Sequence, residues 1–285
     1  MWNTITLSGF ADEISTDLSE QIRVLKNLDV SYVEMRGVNG KGLVYYTLPE
    51  VREIKQQLDA EGIRLSSVGS PIGKIGIADD FAPHMDLFKH TVEIAKIMET
   101  PNIRMFSFFI PQDQDPSVFR GEVMDRLGQM ADYAAASDVV LLHENEKEIY
   151  GDNAPRCLEI MKEFYGDHFK AVFDFANFVQ CDQDTLEAYE MLKPYISYIH
   201  IKDALFGSGE VVPAGHGDGN VAKILSMLKE SGYQGFLSLE PHLQQFSGFS
   251  ALENSEGTVQ KERKYTGEEV FTIAHHALCE ILEKI

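Results

Sequence analysis

The chain alternates between short apolar runs and longer segments in which apolar residues recur with a helical period. The short runs are rich in β-branched and aromatic residues, as buried parallel strands are. They predict eight strands: Ile5–Ser8, Tyr32–Met35, Arg64–Val68, Ile103–Phe108, Val139–His143, Ala171–Phe173, Ile196–Ile201 and Phe236–Leu239. Each strand is followed by a segment with one apolar helical face, so the chain repeats a strand–helix unit.

The second helical segment carries clear end signals. Thr47 and Glu50 are spaced as a capping box, and Gly62 suits the left-handed position that closes a helix. Eight units in 285 residues average about 36 residues each, which is typical of the (β/α)8 TIM barrel. We therefore predict a single α/β barrel domain over residues 1–285. The competing open doubly wound sheet usually has a glycine-rich phosphate turn after its first strand, and residues 8–13 do not form one.

Four consecutive predicted strands end with an ionisable side chain directly after an apolar run. These residues are Glu144, Asp174, His200 and Glu240. The ends of neighbouring barrel strands lie side by side at one face, so the four side chains can converge. Three carboxylates and an imidazole cannot converge without a cation. The set predicts one divalent metal ion, with Mn²⁺ favoured and Co²⁺, Mg²⁺ or Zn²⁺ as alternatives.

Several short strings support a family resemblance that covers the whole chain. They are His-Glu-Asn-Glu at 143–146, Phe-Asp-Phe-Ala-Asn at 173–177, His-Ile-Lys-Asp at 200–203, Gly-x-Gly-Asp-Gly at 215–219 and Leu-Ser-Leu-Glu-Pro at 237–241. The chain resembles the xylose isomerase-like barrels, and within them the sugar phosphate isomerase/epimerase group. In the ketose 3-epimerases of that group, Glu, Asp, His and Glu hold the metal and the two glutamates exchange the substrate proton. The resemblance implies these roles for Glu144, Asp174, His200 and Glu240, with Glu144 and Glu240 as the catalytic pair.

The chemistry of such a site is proton abstraction next to a carbonyl. A sugar hydroxyl and its adjacent carbonyl would chelate the ion, and the ion would stabilise the enediolate. One glutamate would remove the α-proton, and the other would return one. Isomerisation, epimerisation and inosose-type dehydration share this first step, so the product stays open. A sugar-binding barrel without catalysis is a further alternative, although binding alone does not require two bases.

Two more residues are expected to bind substrate. Lys202 shares strand parity with His200, so it can point into the barrel mouth towards a substrate oxygen or anionic group. The alternative for Lys202 is an ion pair with Asp203 or a neighbouring carboxylate. Asn177 stands three residues after Asp174, where the epimerases have a substrate-binding histidine. An asparagine can hydrogen-bond a hydroxyl but cannot shuttle a proton.

Composition narrows the choice of partners. The net charge of −20, from 25 basic and 45 acidic side chains, would repel nucleic acid. The related class II abasic-site endonucleases need extra metal-binding histidines, which the segments 66–69 and 105–108 lack. No apolar run is long enough for a membrane span. Three scattered cysteines and the absence of a signal-like N-terminus favour the cytoplasm. We expect a small carbohydrate as substrate, and the resemblance implies that homo-oligomers are common.

Three long connections follow strands and therefore lie at the same end of the predicted barrel. They are Gly69–Asp79, Ala204–Gly219 and Pro241–Tyr265. Long connections in compact domains are usually functional or disordered. The last one is polar, and we predict that it is a mobile lid over the mouth.

Overall fold

Eight parallel strands form a nearly closed barrel in the computed structural model, which describes residue 2, residues 4–243 and residues 265–285. The strands are β1 (Ile5–Gly9), β2 (Tyr32–Met35), β3 (Arg64–Val68), β4 (Asn102–Met105), β5 (Val140–Glu144), β6 (Phe169–Asp174), β7 (Ile196–Ile201) and β8 (Gly235–Leu239). Their order in the sheet is β1-β8-β7-β6-β5-β4-β3-β2. Among the described residues, no backbone ladder joins β1 to β2, so these two strands flank a seam. The predicted (β/α)8 barrel is confirmed.

Helices surround the sheet and follow its strands. They are α1 (Leu18–Asn27), α2 (Leu48–Ala60), α3 (Phe81–Ile97), α4 (Arg120–Ala136), α5 (Ala154–Phe164), α6 (Phe175–Gln180), α7 (Thr185–Leu192), α8 (Val221–Glu230) and α9 (Gly267–Lys284). The capping box of Thr47 and Glu50 is present at the start of α2, and Gly62 has φ +73° just after its end, as predicted. No helix in the described part of the chain is long and apolar enough to cross a membrane.

Strand β4 is shorter than the apolar run that predicts it. The run extends to Phe108, but β4 ends at Met105. Beyond that point the backbone pairs with the connection after β3 instead of the sheet. Phe106 N donates to Ile72 O at 2.8 Å, and Phe108 N donates to Gly73 O at 3.0 Å. The sequence stays apolar beyond Met105 because residues 106 and 108 are buried, even though their backbone hydrogen bonds go to a loop and not to the sheet.

The interior of the barrel becomes more polar towards the carboxyl ends of the strands. Its lower part is an apolar cluster of Leu142, Val172 and Tyr198, with Val140 and Phe236 against it. Serine side chains follow, in a hydrogen-bonded row that includes Ser8 Oγ to Ser66 Oγ at 2.6 Å and Ser66 Oγ to Tyr198 Oη at 2.8 Å. The buried charged residues lie beyond this row, at the mouth.

The connection after β7 is organised by one carboxylate. Asp203 accepts backbone N–H hydrogen bonds from Ala204, Gly215, Gly217 and Gly219, at 2.9 to 3.0 Å. The glycines of this segment let the backbone approach that carboxylate closely. A Cβ on Gly217 would lie 2.5 Å from Asp203 Oδ1. The predicted lid falls mostly on residues 244–264, which lie outside the described residues.

Candidate metal and active site

The four side chains predicted to hold a metal meet at the barrel mouth. Glu144 and Asp174 end β5 and β6, His200 lies in β7, and Glu240 directly follows β8. All four are at most 3% exposed. One potential ligand atom from each lies within 4.8 Å of the others. His200 Nδ1 is 3.0 Å from Glu144 Oε1, 3.6 Å from Glu240 Oε2 and 3.9 Å from Asp174 Oδ2.

The orientation of the His200 ring is fixed from below by a residue that the sequence did not suggest. Glu34 in β2 lies with Oε2 3.0 Å from His200 Nε2. Ser238 Oγ donates a hydrogen bond of 2.8 Å to the same oxygen. The Phe10 ring packs edge-on against the imidazole, with a centroid distance of 5.2 Å. Nδ1 therefore faces the carboxylate cluster, and Nε2 faces the barrel interior.

Lys202 and Asn177 also lie at the cluster, and both contact the proposed ligands. Lys202 Nζ is 3.0 Å from Glu240 Oε2 and 3.2 Å from Asp174 Oδ2. Asn177 Nδ2 donates to Glu144 Oε1 at 3.3 Å, and its backbone N–H donates to Asp174 Oδ1 at 2.8 Å. The ion pairs of Lys202 match the alternative raised for it above. The expected contacts of both residues with substrate stay predictions.

Two buried arginines complete the mouth. Arg104 in β4 has a guanidinium nitrogen 3.3 Å from Glu144 Oε2, and Arg36 after β2 has one 3.3 Å from Glu240 Oε1. The Phe10 ring lies beneath both guanidinium groups, with centroid distances of 4.5 Å to Arg36 and 4.8 Å to Arg104. A signal in the sequence could have identified Arg36, Arg104 and Glu34. Each is a charged residue in or just after a predicted strand, at a position whose side chain points into the barrel.

A second group of potential ligands shares Glu240 with the first. Glu13, Glu240 and His242 each offer one atom within 4.8 Å of the others. The guanidinium of Arg36 already lies between the two carboxylates, 3.2 Å from Glu13 Oε1 and 3.3 Å from Glu240 Oε1. A side-chain cation thus occupies the place that a second metal ion would take.

The electrostatics of the cluster differ from one carboxyl group to the next. Burial raises the pKa of Asp174 to about 7, with further upward pressure from Glu240 and Glu144, although Lys202 opposes the shift. Burial would also raise the pKa of Glu240, but the nearby charges of Lys202 and other basic groups hold it well below its usual range. The carboxylates of Glu144 and Glu34 outweigh burial and raise the pKa of His200. These shifts favour the protonated forms of Asp174 and His200 near neutral pH.

The residues present fit a divalent cation. Asp174 Oδ2 and Glu144 Oε2 are buried and have no hydrogen-bond partner within the described chain, although Lys202 and Arg104 lie near them. In the described part of the chain, carboxyl groups outnumber cationic side chains at the mouth. The carboxyl groups are Asp12, Glu13, Glu34, Glu144, Asp174 and Glu240, and the cations in contact with them are Arg36, Arg104 and Lys202. Oxygen-rich ligation with one imidazole is the donor set of Mn²⁺ and related ions.

The family of the chain is shown by a match to a sequence family. The profile of the xylose isomerase-like TIM barrel family matches residues 22–267. The chain therefore belongs to this family of barrels. Among curated proteins, a 3-dehydroshikimate dehydratase of Bacillus anthracis is 22% identical over 129 residues. That match covers 45% of this chain and 46% of the relative, which is less than half the length of each.

Solved structures agree on the fold. A probable 3-DHS dehydratase, AsbF, from Bacillus anthracis has a TM-score of 0.71 and 16% identity, covering 96% of this chain and 98% of its own. A D-psicose 3-epimerase crystallised with D-fructose has a TM-score of 0.74 and 17% identity, covering 96% and 97%. The IOLI protein with a bound zinc atom has a TM-score of 0.74 and 16% identity, covering 98% of each chain. These similarities extend over the whole barrel.

Proposed function

We propose that this protein is a divalent-metal-dependent sugar or sugar phosphate isomerase or epimerase that abstracts a proton next to a carbonyl. The observation that carries the proposal is the convergence of Glu144, Asp174, His200 and Glu240 within 4.8 Å at the mouth of a xylose isomerase-like barrel. Two of these residues are glutamates at the ends of different strands. Such a pair can serve one substrate carbon as base and acid.

In the proposed site, the four side chains hold one metal ion, with Mn²⁺ as the first candidate. The ion would act as a Lewis acid on the substrate carbonyl. Asp174 and His200 serve as ligands only. We assign the role of base to Glu240, whose carboxylate is ionised near neutral pH because Lys202 and other basic groups lower its pKa. Glu240 keeps the proton it removes, and Glu144, which must itself be protonated at that stage, supplies another to the substrate. Asn177 donates a hydrogen bond of 3.3 Å to Glu144.

Lys202 is proposed to bind a substrate oxygen when the cluster is loaded. Its ammonium lies 3.0 Å from Glu240 and 3.2 Å from Asp174, so a bound cation would compete with it for these oxygens. A displaced ammonium would remain within reach of a substrate at the same mouth.

The odd number of free cysteines is in keeping with our expectation of a reducing, cytoplasmic location.

Dehydration is the second candidate, and the sequence match to a 3-dehydroshikimate dehydratase favours it. Elimination of water begins with the same proton abstraction next to a carbonyl. It then needs an acid at the departing hydroxyl in place of a returned proton. Lys202, a buried ammonium among the proposed ligands, is the proposed donor in that case.

The decisive experiment is solvent exchange. The protein, with Mn²⁺, is incubated in D₂O with a panel of ketoses, ketose phosphates and cyclic hydroxyketones, and deuterium at the carbon next to the carbonyl is followed by NMR. The product of the reactive compound separates epimerisation from isomerisation and dehydration. We expect Glu144→Gln and Glu240→Gln each to lower the exchange rate about 10²–10⁴-fold, because each removes an acid–base group.

Glu93→Gln provides a matched control. Glu93 lies on α3 with 48% of its side chain exposed and pairs with Lys96, far in sequence from the proposed ligands. Its substitution should leave exchange unchanged. Full exchange by either active-site variant would contradict the proton-transfer proposal, and exchange that persists after metal removal would contradict the metal requirement.

A further inference from the structure

Arg104 is a buried cation whose hydrogen-bonding capacity is poorly used. A guanidinium has five N–H donors. In Arg104, one terminal nitrogen makes two long hydrogen bonds, of 3.4 Å to Gly69 O and 3.5 Å to Ser70 O. The other terminal nitrogen lies 3.3 Å from Glu144 Oε2, and Nε has no hydrogen-bond partner among the described residues. The residue is only 3% exposed, so bulk solvent does not satisfy these donors.

Two aromatic rings hold this guanidinium in place. Its centre lies 4.8 Å from the Phe10 ring centroid and 5.0 Å from that of Phe106. Stacking on aromatic faces fixes the plane of an arginine, and a fixed plane matches the two oxygens of a planar carboxylate. The group is therefore preorganised for a planar oxyanion.

Arg104 lines a cavity together with Arg36, and these two arginines contact Glu144 and Glu240 of the proposed metal cluster. The cavity has a volume of about 270 Å³, and its walls include Arg36, Arg104, Lys41, Gly69 and Pro71. Arg36 is already engaged by Asp12 at 2.8 Å and by Glu240 at 3.3 Å. Arg104 is thus the buried cation of this cavity with unused donors.

We propose that Arg104 binds a carboxylate group of the substrate. This inference rests on the proposed function, because it assigns a substituent to the compound that reacts at the neighbouring cluster. A monoanionic carboxylate fits better than a phosphate, since Asp12 lines the cavity and Glu144 contacts Arg104, and both carboxylates would repel a dianion more strongly. The substrate class is then a hydroxylated keto acid rather than a neutral ketose.

The test compares matched ligands that cannot react, because they carry no ketone. D-gluconate is compared with D-glucitol, shikimate with its methyl ester, and D-glucitol 6-phosphate represents phosphate. Binding to the full chain with Mn²⁺ is measured by calorimetry. We expect at least one carboxylate to bind about tenfold or more tightly than its neutral partner, as a charged hydrogen-bonded pair provides. Arg104→Gln should remove that preference, and Arg104→Lys should retain part of it.

Two controls separate this effect from others. Lys41→Gln removes a charge from the same cavity, but this side chain is 42% exposed, and its substitution should change the preference little. Mn²⁺ affinity of Arg104→Gln shows whether the variant keeps the cluster intact, and we expect it to be retained. If Arg104→Gln loses Mn²⁺, the comparison is made with Arg104→Lys, whose carboxylate preference must then fall below that of the unaltered protein.

The proposal is overturned if neither carboxylate binds better than its neutral partner, if the preference survives in Arg104→Gln, or if glucitol 6-phosphate binds more tightly than gluconate. Because the measurement is binding to unreactive ligands, it does not depend on proton transfer. Failure of the exchange experiment with an intact carboxylate preference would remove the proposed function and leave the subsite. If exchange is observed but no carboxylate preference is found, the proposed function stands and its substrate is a neutral sugar.

Discussion

At the scale of single residues, the surroundings of His200 matter most for the proposed metal site. Its two ring nitrogens face different carboxylates, Glu144 on the cluster side and Glu34 on the interior side, each at 3.0 Å. A carboxylate behind a metal-binding imidazole fixes the tautomer and makes the facing nitrogen a better ligand. Glu34 is thus expected to act through His200 and not by direct contact with a metal.

Glu34→Gln should weaken binding of Mn²⁺ by about 10–100-fold, since the neutral amide no longer polarises the imidazole. Ser238→Ala is the matched control, because it removes only the 2.8 Å hydrogen bond to the same Glu34 oxygen and should cost less affinity. Equilibrium dialysis of the metal measures both. Unchanged affinity in Glu34→Gln would show that the carboxylate does not support the ligand.

At the residue scale, the sequence revealed the ionisable side chains at or near the ends of apolar runs and missed Glu34 and Arg104. Glu144 and Asp174 were visible because a charge directly followed a buried strand. Glu34 and Arg104 lie within strands that were assigned only by their apolar neighbours. Their partners are distant in the chain: Glu34 and His200 are 166 positions apart, and only closure of the barrel brings them together.

At the element scale, the connection after β3 is fastened to the polypeptide that follows β4. His84 on α3 secures this arrangement, because its Nε2 accepts the N–H of Gly73 at 2.7 Å. That nitrogen must be unprotonated to accept. Burial lowers the pKa of His84 from 6.5 to about 4, and the positive charge of Arg126 adds to the shift.

Protonation of His84 should therefore destabilise the fold in acid. The unfolded chain takes up the proton below about pH 6.5, whereas the folded chain resists it until about pH 4. This residue thus lowers the free energy of unfolding as the pH falls through that window, and its contribution does not depend on pH above the window. We expect His84→Gln, whose side-chain oxygen can accept the same N–H, to lose less stability over that range.

Urea unfolding at a series of pH values measures the difference between the two proteins. His216→Gln is the control, because His216 lies exposed in the connection after β7. It should reproduce the pH dependence of the unaltered chain. Parallel pH profiles for His84→Gln and the unaltered chain would mean that the Gly73 contact does not depend on the charge of the ring.

The connection after β7 makes a separate prediction about stability. Gly217→Ala would push a methyl group against Asp203 Oδ1 and Ala204 O, each 2.5 Å away, and disturb the four N–H groups that this carboxylate accepts. We expect a loss of about 1–3 kcal/mol in the free energy of unfolding. Gly121→Ala, with open space around it in α4, should be neutral or slightly stabilising. Equal stability of the two variants in thermal unfolding would argue against this role of Asp203.

The elements themselves were largely predictable, and their ends were less so. Periodicity and capping signals located the strands and the start of α2 at Thr47. The short helix α6 was not anticipated, because it depends on Asp174 accepting the N–H of Asn177 immediately after β6. The end of β4 depends on whether its backbone hydrogen-bonds to a neighbouring strand or to the connection after β3, and a run of apolar residues does not specify which.

At the scale of the whole molecule, the charge of −20 contrasts with a mouth where cations are buried. Arg36, Arg104, Lys74 and Lys202 are all at the carboxyl ends of the strands, each with at most 8% of its side chain exposed. Among the described residues their carboxylate partners still outnumber them, and burial raises the pKa of Asp174 to about 7, so this group can hold a proton near neutral pH. A metal ion would have to replace that proton.

Metal binding should therefore release protons near neutral pH. Asp174, with a pKa of about 7, and His200, with a raised pKa, must both be deprotonated to act as ligands. We expect affinity for Mn²⁺ to rise with pH across the neutral range. Calorimetry in two buffers that differ in ionisation enthalpy counts the protons released. An affinity that is independent of pH, with no proton release, would contradict this view of the site.

The seam between β1 and β2 gives Arg36 a second importance. With no backbone ladder across the seam among the described residues, ion pairs from Arg36 to Asp12 and Glu13 join the turn after β1 to the end of β2. The same guanidinium contacts Glu240. Local opening of the barrel would begin at the seam, where backbone hydrogen bonds between strands are missing. Because Arg36 contacts Glu240, such opening would displace the proposed base. Heating would then abolish the proposed activity at a lower temperature than the one that unfolds the protein.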